Sequence, residues 1–105
     1  MMTVNIYVVR LDRAVLNHKK FREKNPGHDA RKPCVYVGMT YLCPEERFLQ
    51  HLMGVRSARF VRRYGVDLVP RLYERFNPMT RETAERFEII RAERLRARGY
   101  AVWQN

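Results

Sequence analysis

A small single domain mixing helices and strands is predicted by three observations. Two runs rich in β-branched and aromatic residues lie at 3–10 and 34–39. Helical segments punctuated by Pro and Gly follow them, and a long polar helix runs from about 79 to 98. The resulting order is β, basic insertion, β, α, α, β, α, which fits one packed core. At 105 residues the chain has the size of one domain, and 46% hydrophobic and 11% aromatic content argue for folding rather than disorder.

Thr3–Arg10 reads as a strand buried over most of its length. Residues 11–33 change character. Counting Arg10 with them, they carry eight basic side chains (Arg10, Arg13, Lys19, Lys20, Arg22, Lys24, Arg31, Lys32) against Asp12, Glu23 and Asp29. Leu11, Ala14, Val15 and Phe21 give a weak helical pattern over about 12–24, ended by Asn25-Pro26-Gly27. The stretch is either a long basic connection or a short inserted helix; a structureless loop of that length would be unusual. Cys34–Met39 is the second strand.

Pro44 fits the first position of a helix, with Glu45 and Glu46 where the helix dipole favours acids. This helix carries Phe48, Leu49 and Leu52 and stops near Gly54. Arg56–Tyr64 reads as another short helix ended by Gly65. Val66, Leu68 and Leu72 suggest a third strand, placed at an edge because Pro70 cannot donate to a ladder. Asn77-Pro78 precedes the long helix, Gly99 ends it, and Tyr100–Trp103 form a hydrophobic tail expected to pack back on the core.

The 21 Lys+Arg against 11 Asp+Glu give a net charge of +10. Such an excess favours a polyanionic partner, through counterion release or attraction to anionic lipid. No apolar run approaches the roughly 18 residues of a membrane span, so an integral membrane protein is not expected. Met1–Asn5 lacks a charged segment leading into an apolar one, so no signal peptide is expected. Cys34 and Cys43 have neither CxxC nor zinc-finger spacing. Cys34 is expected buried and Cys43 partly exposed, and two free thiols suit a cytoplasmic location.

Candidate chemistry begins with two strand tyrosines, Tyr7 in Asn5-Ile6-Tyr7 and Tyr36 in Tyr36-Val37-Gly38. Each has an ordinary reading as a core residue with a satisfied hydroxyl. Arg47 and His51, four apart, share a helix face. Arginine offers a planar fork to phosphate and histidine handles protons near neutral pH, although a solvated face is the plain alternative. On the long helix, positions 84, 88, 92 and 95 fall in one arc, so Glu88 lies among Ala84, Ala92 and Leu95. A carboxylate there is costly unless paired or metal-bound. The plain alternative is a salt bridge to one of the seventeen arginines. Lys19, Lys20, Arg22, Lys24 and Lys32 form a phosphate-tracking patch if one face collects them, and a solvated charge run otherwise.

Taken in order, these residues resemble the GIY-YIG nuclease superfamily. Asn5-Ile6-Tyr7 stands at its first motif and Tyr36-Val37-Gly38-Met39-Thr40 at its second. Arg47-Phe48-Leu49-Gln50-His51 stands at its arginine helix, and Ala84-Glu85-Arg86-Phe87-Glu88 at the helix bearing its glutamate. The likeness covers most of the chain. It implies an α+β fold, a three-stranded antiparallel sheet flanked by helices, here with a basic insertion between the first two strands. It also implies an endonuclease that hydrolyses nucleic-acid phosphodiesters, DNA foremost, with one Mg²⁺ or Mn²⁺.

By position, Tyr7 would orient or deprotonate the attacking water and Tyr36 would hold that geometry. Arg47 would neutralise the scissile phosphate, His51 would add a phosphate contact, and Glu88 would be the metal ligand, with Glu85 the neighbouring carboxylate. Three departures stand out. Asn5 replaces the first motif's glycine, and the span from Tyr7 to Tyr36 is long. The family's terminal polar residue has only Gln104 and Asn105 as candidates. Specificity would then come from the insertion, a homodimer or a partner. The competing classes are a non-catalytic nucleic-acid-binding module and an interaction module for an acidic protein.

Overall fold

A computed structural model describes residues 2–104. It is an α+β fold with five strands and four α-helices. The strands are β1 (Thr3–Leu11), β2 (Cys34–Thr40), β3 (Gly65–Leu68), β4 (Met79–Thr80) and β5 (Ala101–Gln104). The helices are α1 (Lys19–Glu23), α2 (Pro44–Leu52), α3 (Arg59–Tyr64) and α4 (Arg81–Ala97). Among the described residues no helix is long and apolar enough to cross a membrane.

The sheet runs β3-β1-β2-β5, with the two-residue β4 also pairing β1. β1 is antiparallel to β2, β3 and β4, whereas β5 lies parallel to β2. The sheet is therefore mixed, and larger than the three antiparallel strands the sequence suggested. The hydrophobic tail is the reason. Ala101, Val102 and Trp103 pair with Cys34, Val35 and Tyr36 instead of merely covering the core. A four-residue strand in a parallel pair has no local hairpin to announce it.

β3 ends before Pro70 at the sheet edge, as its sequence requires. A bidentate cross-strand pair, Arg10 to Asp67 at 2.9 Å for both bonds, braces that edge. It is solvent-exposed, so solvent screens most of its attraction.

The insertion at 11–33 is neither a bare connection nor one helix. A 3₁₀ segment at Arg13–Asn17, capped by the Asp12 carboxylate on Ala14 N at 2.8 Å, leads into the five-residue α1. Phe21 anchors α1, fully buried, stacked on Trp103 and edge-on to Phe60. Asn25 does more than end the helix. Its amide exchanges hydrogen bonds with the backbone N–H and C=O of Val102 (2.7 and 3.1 Å) and accepts one from Arg96 Nε. The insertion thus belongs to the core, pinned to β5 and α4.

α4 begins with Thr80 as N-cap, its hydroxyl accepting from Thr83 N, while β4 ties that start to Thr3 and Val4 of β1. The predicted arc holds: Ala84, Glu88, Ala92 and Leu95 are buried, joined by Arg91. α2 behaves otherwise. Leu49 and Leu52 point to solvent at 57% and 44% exposure, while His51 is wholly buried. Of its apolar residues, Phe48 packs against the core.

Candidate active site

Cross-strand register decides which tyrosines can meet. Tyr7 pairs with Gly38, and Val9 with Tyr36. Side chains alternate along a strand, so Tyr7 and Tyr36 emerge as diagonal neighbours on the same face. Their ring centroids lie 6.1 Å apart and both side chains are almost wholly buried. Gly38 makes this possible. A Cβ there would lie 2.7 Å from Tyr7 Oη and 2.9 Å from Tyr36 Cε2, so any side chain would evict one of the two rings. The glycine after the second tyrosine is a packing requirement of the pair.

Two side-chain amides hold the strand beside Tyr7. Asn77 Oδ1 accepts from Ile6 N (2.8 Å) and its Nδ2 donates to Ile6 O (2.7 Å). Asn77 thereby continues the ladder at Ile6, below the point where β3 pairs. Asn5, at the position where the resemblance expects glycine, donates to Leu42 O at 3.0 Å and ties β1 to the turn leading into α2.

His51 comes down from α2 onto the tyrosines. Its ring centroid lies 5.9 Å from that of Tyr7 and 5.7 Å from that of Tyr36. Nε2 sits 2.7 Å from Tyr7 Oη, and Nδ1 accepts the backbone N–H of Ala58 at 3.0 Å. The second bond fixes the first. An N–H can only donate, so Nδ1 carries a lone pair, and the proton of the neutral ring is on Nε2. His51 therefore donates to Tyr7 Oη. Burial, with the Arg47 charge adding to it, pulls the His51 pKa down to about 4, which keeps the ring neutral. Both nitrogens are spent within the protein, so the expected phosphate contact by His51 has no nitrogen available. Its place is behind Tyr7.

Arg47, on the same helix face and half-buried, is braced by its own loop. Nη1 donates to Gln50 Oε1 and Val55 O at 3.1 Å, and Nη2 to Arg56 O at 2.7 Å. Among the described residues, Nε–H and one Nη2 proton have no hydrogen-bond partner. Arg56 has φ 46°, and this left-handed turn is part of the loop that puts its carbonyl on Arg47.

Glu88 approaches from α4. It is 7% exposed and, among the described residues, makes no hydrogen bond or ion pair within 4 Å. None of the seventeen arginines takes it, whereas Glu85 is exposed and bonded to Arg81 at 3.1 Å. Desolvation, with repulsion from Glu85, pushes the Glu88 pKa up to about 7. Burial likewise raises Tyr7 to about 12, with Arg47 opposing and Glu88 adding to the rise. Tyr36 is raised further by burial and by the charges of Tyr7 and Glu88, and its buried hydroxyl has no hydrogen-bond partner among the described residues.

Tyr7, Tyr36 and His51 therefore pack together, and the charges of Arg47 from α2 and Glu88 from α4 both act on the two tyrosines. Comparison with known proteins returns no matching family, no matching curated protein and no matching solved structure. The chemistry of this site rests on its own geometry.

Among the described residues no three His, Cys, Asp or Glu side chains cluster as metal ligands, so a cation here would take Glu88 as a single protein carboxylate. Cys34 is buried and Cys43 exposed, both free; Cys43 Sγ bonds Glu46 Oε1 at 3.1 Å. The predicted basic residues do not join the site. Lys19 pairs with Glu23 at 3.8 Å, Arg22 donates to Leu16 O, and Lys32 lies over the Tyr100 ring. Lys20 and Lys24, four positions apart, share one face of α1 and make no ion pair among the described residues. Gln104, half-exposed at the end of β5, pairs with Val37 of β2, and Asn105 lies outside the described residues.

Sequence reasoning missed Asn77, Asn5 and the Ala58 N–H. Asn77 stood in plain view before Pro78 but read as a loop residue. A backbone N–H leaves no mark in a sequence.

Proposed function

We propose that the chain is a metal-dependent endonuclease of the GIY-YIG type, cleaving nucleic-acid phosphodiesters and DNA foremost. One observation carries this reading: a buried carboxylate with no protein partner among the described residues acts, together with the charge of a braced arginine, on two buried tyrosines. An ionised carboxylate left alone in an apolar site costs several kcal/mol after relaxation, and a fold whose purpose was stability would pair it or replace it. The donor set fits a hard cation: Glu88 offers carboxylate oxygen and no sulfur or nitrogen ligand competes. Glu88 would hold Mg²⁺ or Mn²⁺, and the bound ion would supply charge neutralisation at the leaving oxygen.

The remaining work belongs to the chain's own groups. Arg47 presents its free Nε–H and Nη2–H to a phosphate, the bidentate geometry for which guanidinium is suited. Its charge is in place before the phosphorane-like charge develops, so no reorganisation is needed at that moment. Tyr7, kept a phenol by its raised pKa of about 12, accepts a hydrogen bond from the attacking water and orients it. As the water oxygen bonds to phosphorus the opposite P–O bond breaks, the water's proton passes to solvent and a solvent proton closes the leaving oxygen. The His51 Nε2–H donated to Tyr7 Oη fixes that oxygen in place. Tyr36, packed on Gly38 and edge-on to His51, limits where Tyr7 can move.

The test is a nuclease assay over DNA and RNA substrates with Mg²⁺ and Mn²⁺, run beside Tyr7→Phe and Glu88→Ala. Cleavage by the wild type that falls by about 100-fold or more in each variant is the expected result. Equal cutting by wild type and Glu88→Ala rejects the assigned site.

A further inference from the structure

Two basic stretches, residues 11–33 and 47–66, hold their charge differently, and the second is tied to Tyr7 by hydrogen bonds through Ala58 and His51. The insertion at 11–33 carries seven basic against three acidic side chains. Part of that charge is offset by ion pairs, Glu23 with Lys19 and Asp29 with Arg31. The stretch from Arg47 to Val66 is different. It holds five arginines and no acid. Arg59, Arg62 and Arg63 are spaced i, i+3 and i+4 on α3, so they share its outer face while Phe60 and Val61 are buried beneath.

Among the described residues none of Arg56, Arg59, Arg62 and Arg63 makes an ion pair. Arg59 and Arg63 lie over the rings of Phe60 and Tyr64, and Arg59 Nη2 lies 3.5 Å from His18 Nδ1. These interactions steady the guanidinium groups without neutralising them. Asp12, whose backbone N–H bonds Tyr64 O, directs its carboxylate to Ala14 N.

This face is bolted to the catalytic residues. Ala58, which caps α3, gives its N–H to His51, which bonds Tyr7. Arg47 holds the Val55 and Arg56 carbonyls of the intervening turn. Gly54, at φ 82°, closes that turn under Arg62: a Cβ there would lie 3.1 Å from Arg62 Cζ. Two hydrogen bonds separate the α3 arginines from the Tyr7 hydroxyl.

We propose that α3 and the turn before it, through Arg56, Arg59, Arg62 and Arg63, form the track that grips the nucleic-acid backbone and feeds it to the site, in place of the lysine-bearing insertion. The inference rests on the nucleic-acid reading above but not on catalysis. Unpaired guanidinium groups on one rigid face release phosphate counterions on binding, whereas side chains already ion-paired inside the insertion release fewer.

The experiment measures binding of a short labelled DNA duplex, and of the matching RNA duplex, across a salt series in EDTA. It compares wild type, Arg59→Gln/Arg62→Gln/Arg63→Gln and Lys19→Gln/Lys20→Gln/Lys24→Gln/Lys32→Gln. The arginine set is expected to weaken binding by ~10-fold or more at low salt and to flatten the salt slope by about 3, near 0.9 for each phosphate that is no longer neutralised. The lysine set should change the slope by less than about 1. Arg59→Lys/Arg62→Lys/Arg63→Lys should restore most of the slope, which separates missing charge from a misfolded α3. Binding by the wild type with an unchanged slope in the arginine set, or a larger effect in the lysine set, overturns this inference alone. No salt-dependent binding by the wild type to either duplex overturns the nucleic-acid reading with it.

Discussion

Helices α2 and α4 each bring one ionisable side chain against the strand tyrosines, and they treat it in opposite ways. His51 on α2 is wholly buried with both nitrogens satisfied, one by Ala58 N–H and one by Tyr7 Oη. Glu88 on α4 is nearly as buried and has no protein partner among the described residues. A satisfied buried group specifies geometry; an unsatisfied one stores unfavourable free energy that a ligand can release. The difference gives His51 a part in building the tyrosine cluster and, under the proposed function, leaves Glu88 to hold the ion.

Three substitutions sharpen or break that comparison. The largest stability effect should come from His51→Ala, which leaves a cavity and strands both Ala58 N–H and Tyr7 Oη. A loss of about 3 kcal/mol is expected in urea unfolding. A loss under about 1 kcal/mol would mean that the two hydrogen bonds do not hold α2 in place.

Glu88→Gln should move the other way. The native carboxyl keeps its proton up to about 7, whereas an ordinary carboxyl releases it near 4.5. Between those values the folded state binds more protons, so the Glu88 contribution to stability falls as pH rises through this window. Removing the charge should therefore stabilise the metal-free protein by about 2 kcal/mol at pH 8, with the gain fading below about pH 5. His51 has the reverse sign. Its pKa falls from 6.5 to about 4, so its contribution is present above the unfolded value and is lost as pH drops through that range. In the wild type the two slopes nearly cancel between about pH 4.5 and 6.5. Glu88→Gln should expose the His51 slope alone, about 1.4 kcal/mol per pH unit rising with pH, read from urea midpoints in EDTA across that range. A flat profile in the variant would show that His51 is not held neutral.

The smallest effect belongs to the outer face of α2. Leu49→Gln removes an exposed side chain and should change stability by less than about 0.5 kcal/mol. A larger loss would mean that this apolar side supports the site as the inner side does.

The candidate site was legible in the sequence where residue type and spacing coincide with a chemical need. Tyr7 and Tyr36 announced themselves by position in strands, and Glu88 by sitting in the arc of Ala84, Ala92 and Leu95. Its neighbour Glu85, three positions away, falls outside that arc and is exposed. Charge density in the insertion is visible in the sequence, whereas its pairing is not: only the structure sets Glu23 3.8 Å from Lys19. The inner face of α2 was equally hidden. Leu49 and Leu52 look like the residues to bury, yet the strand tyrosines offer a hydrogen-bonding surface, and His51 matches it better than a leucine can.

The sequence by itself determined β1 and β2, the buried arc of α4, the edge position of β3 and the short list of chemistry-bearing side chains. Those follow from local rules: alternation, helical period and the missing proline N–H. Only the tertiary structure decided that β5 joins β2 in parallel, that Gly38 must be bare because two rings converge on it, that His51 faces inward with a fixed tautomer, and that Glu88 is left alone. Each of these is set by a partner distant in the chain, from Val102 reaching Asn25 to the tyrosines reaching His51, and pairwise distance is the quantity that a linear pattern does not carry.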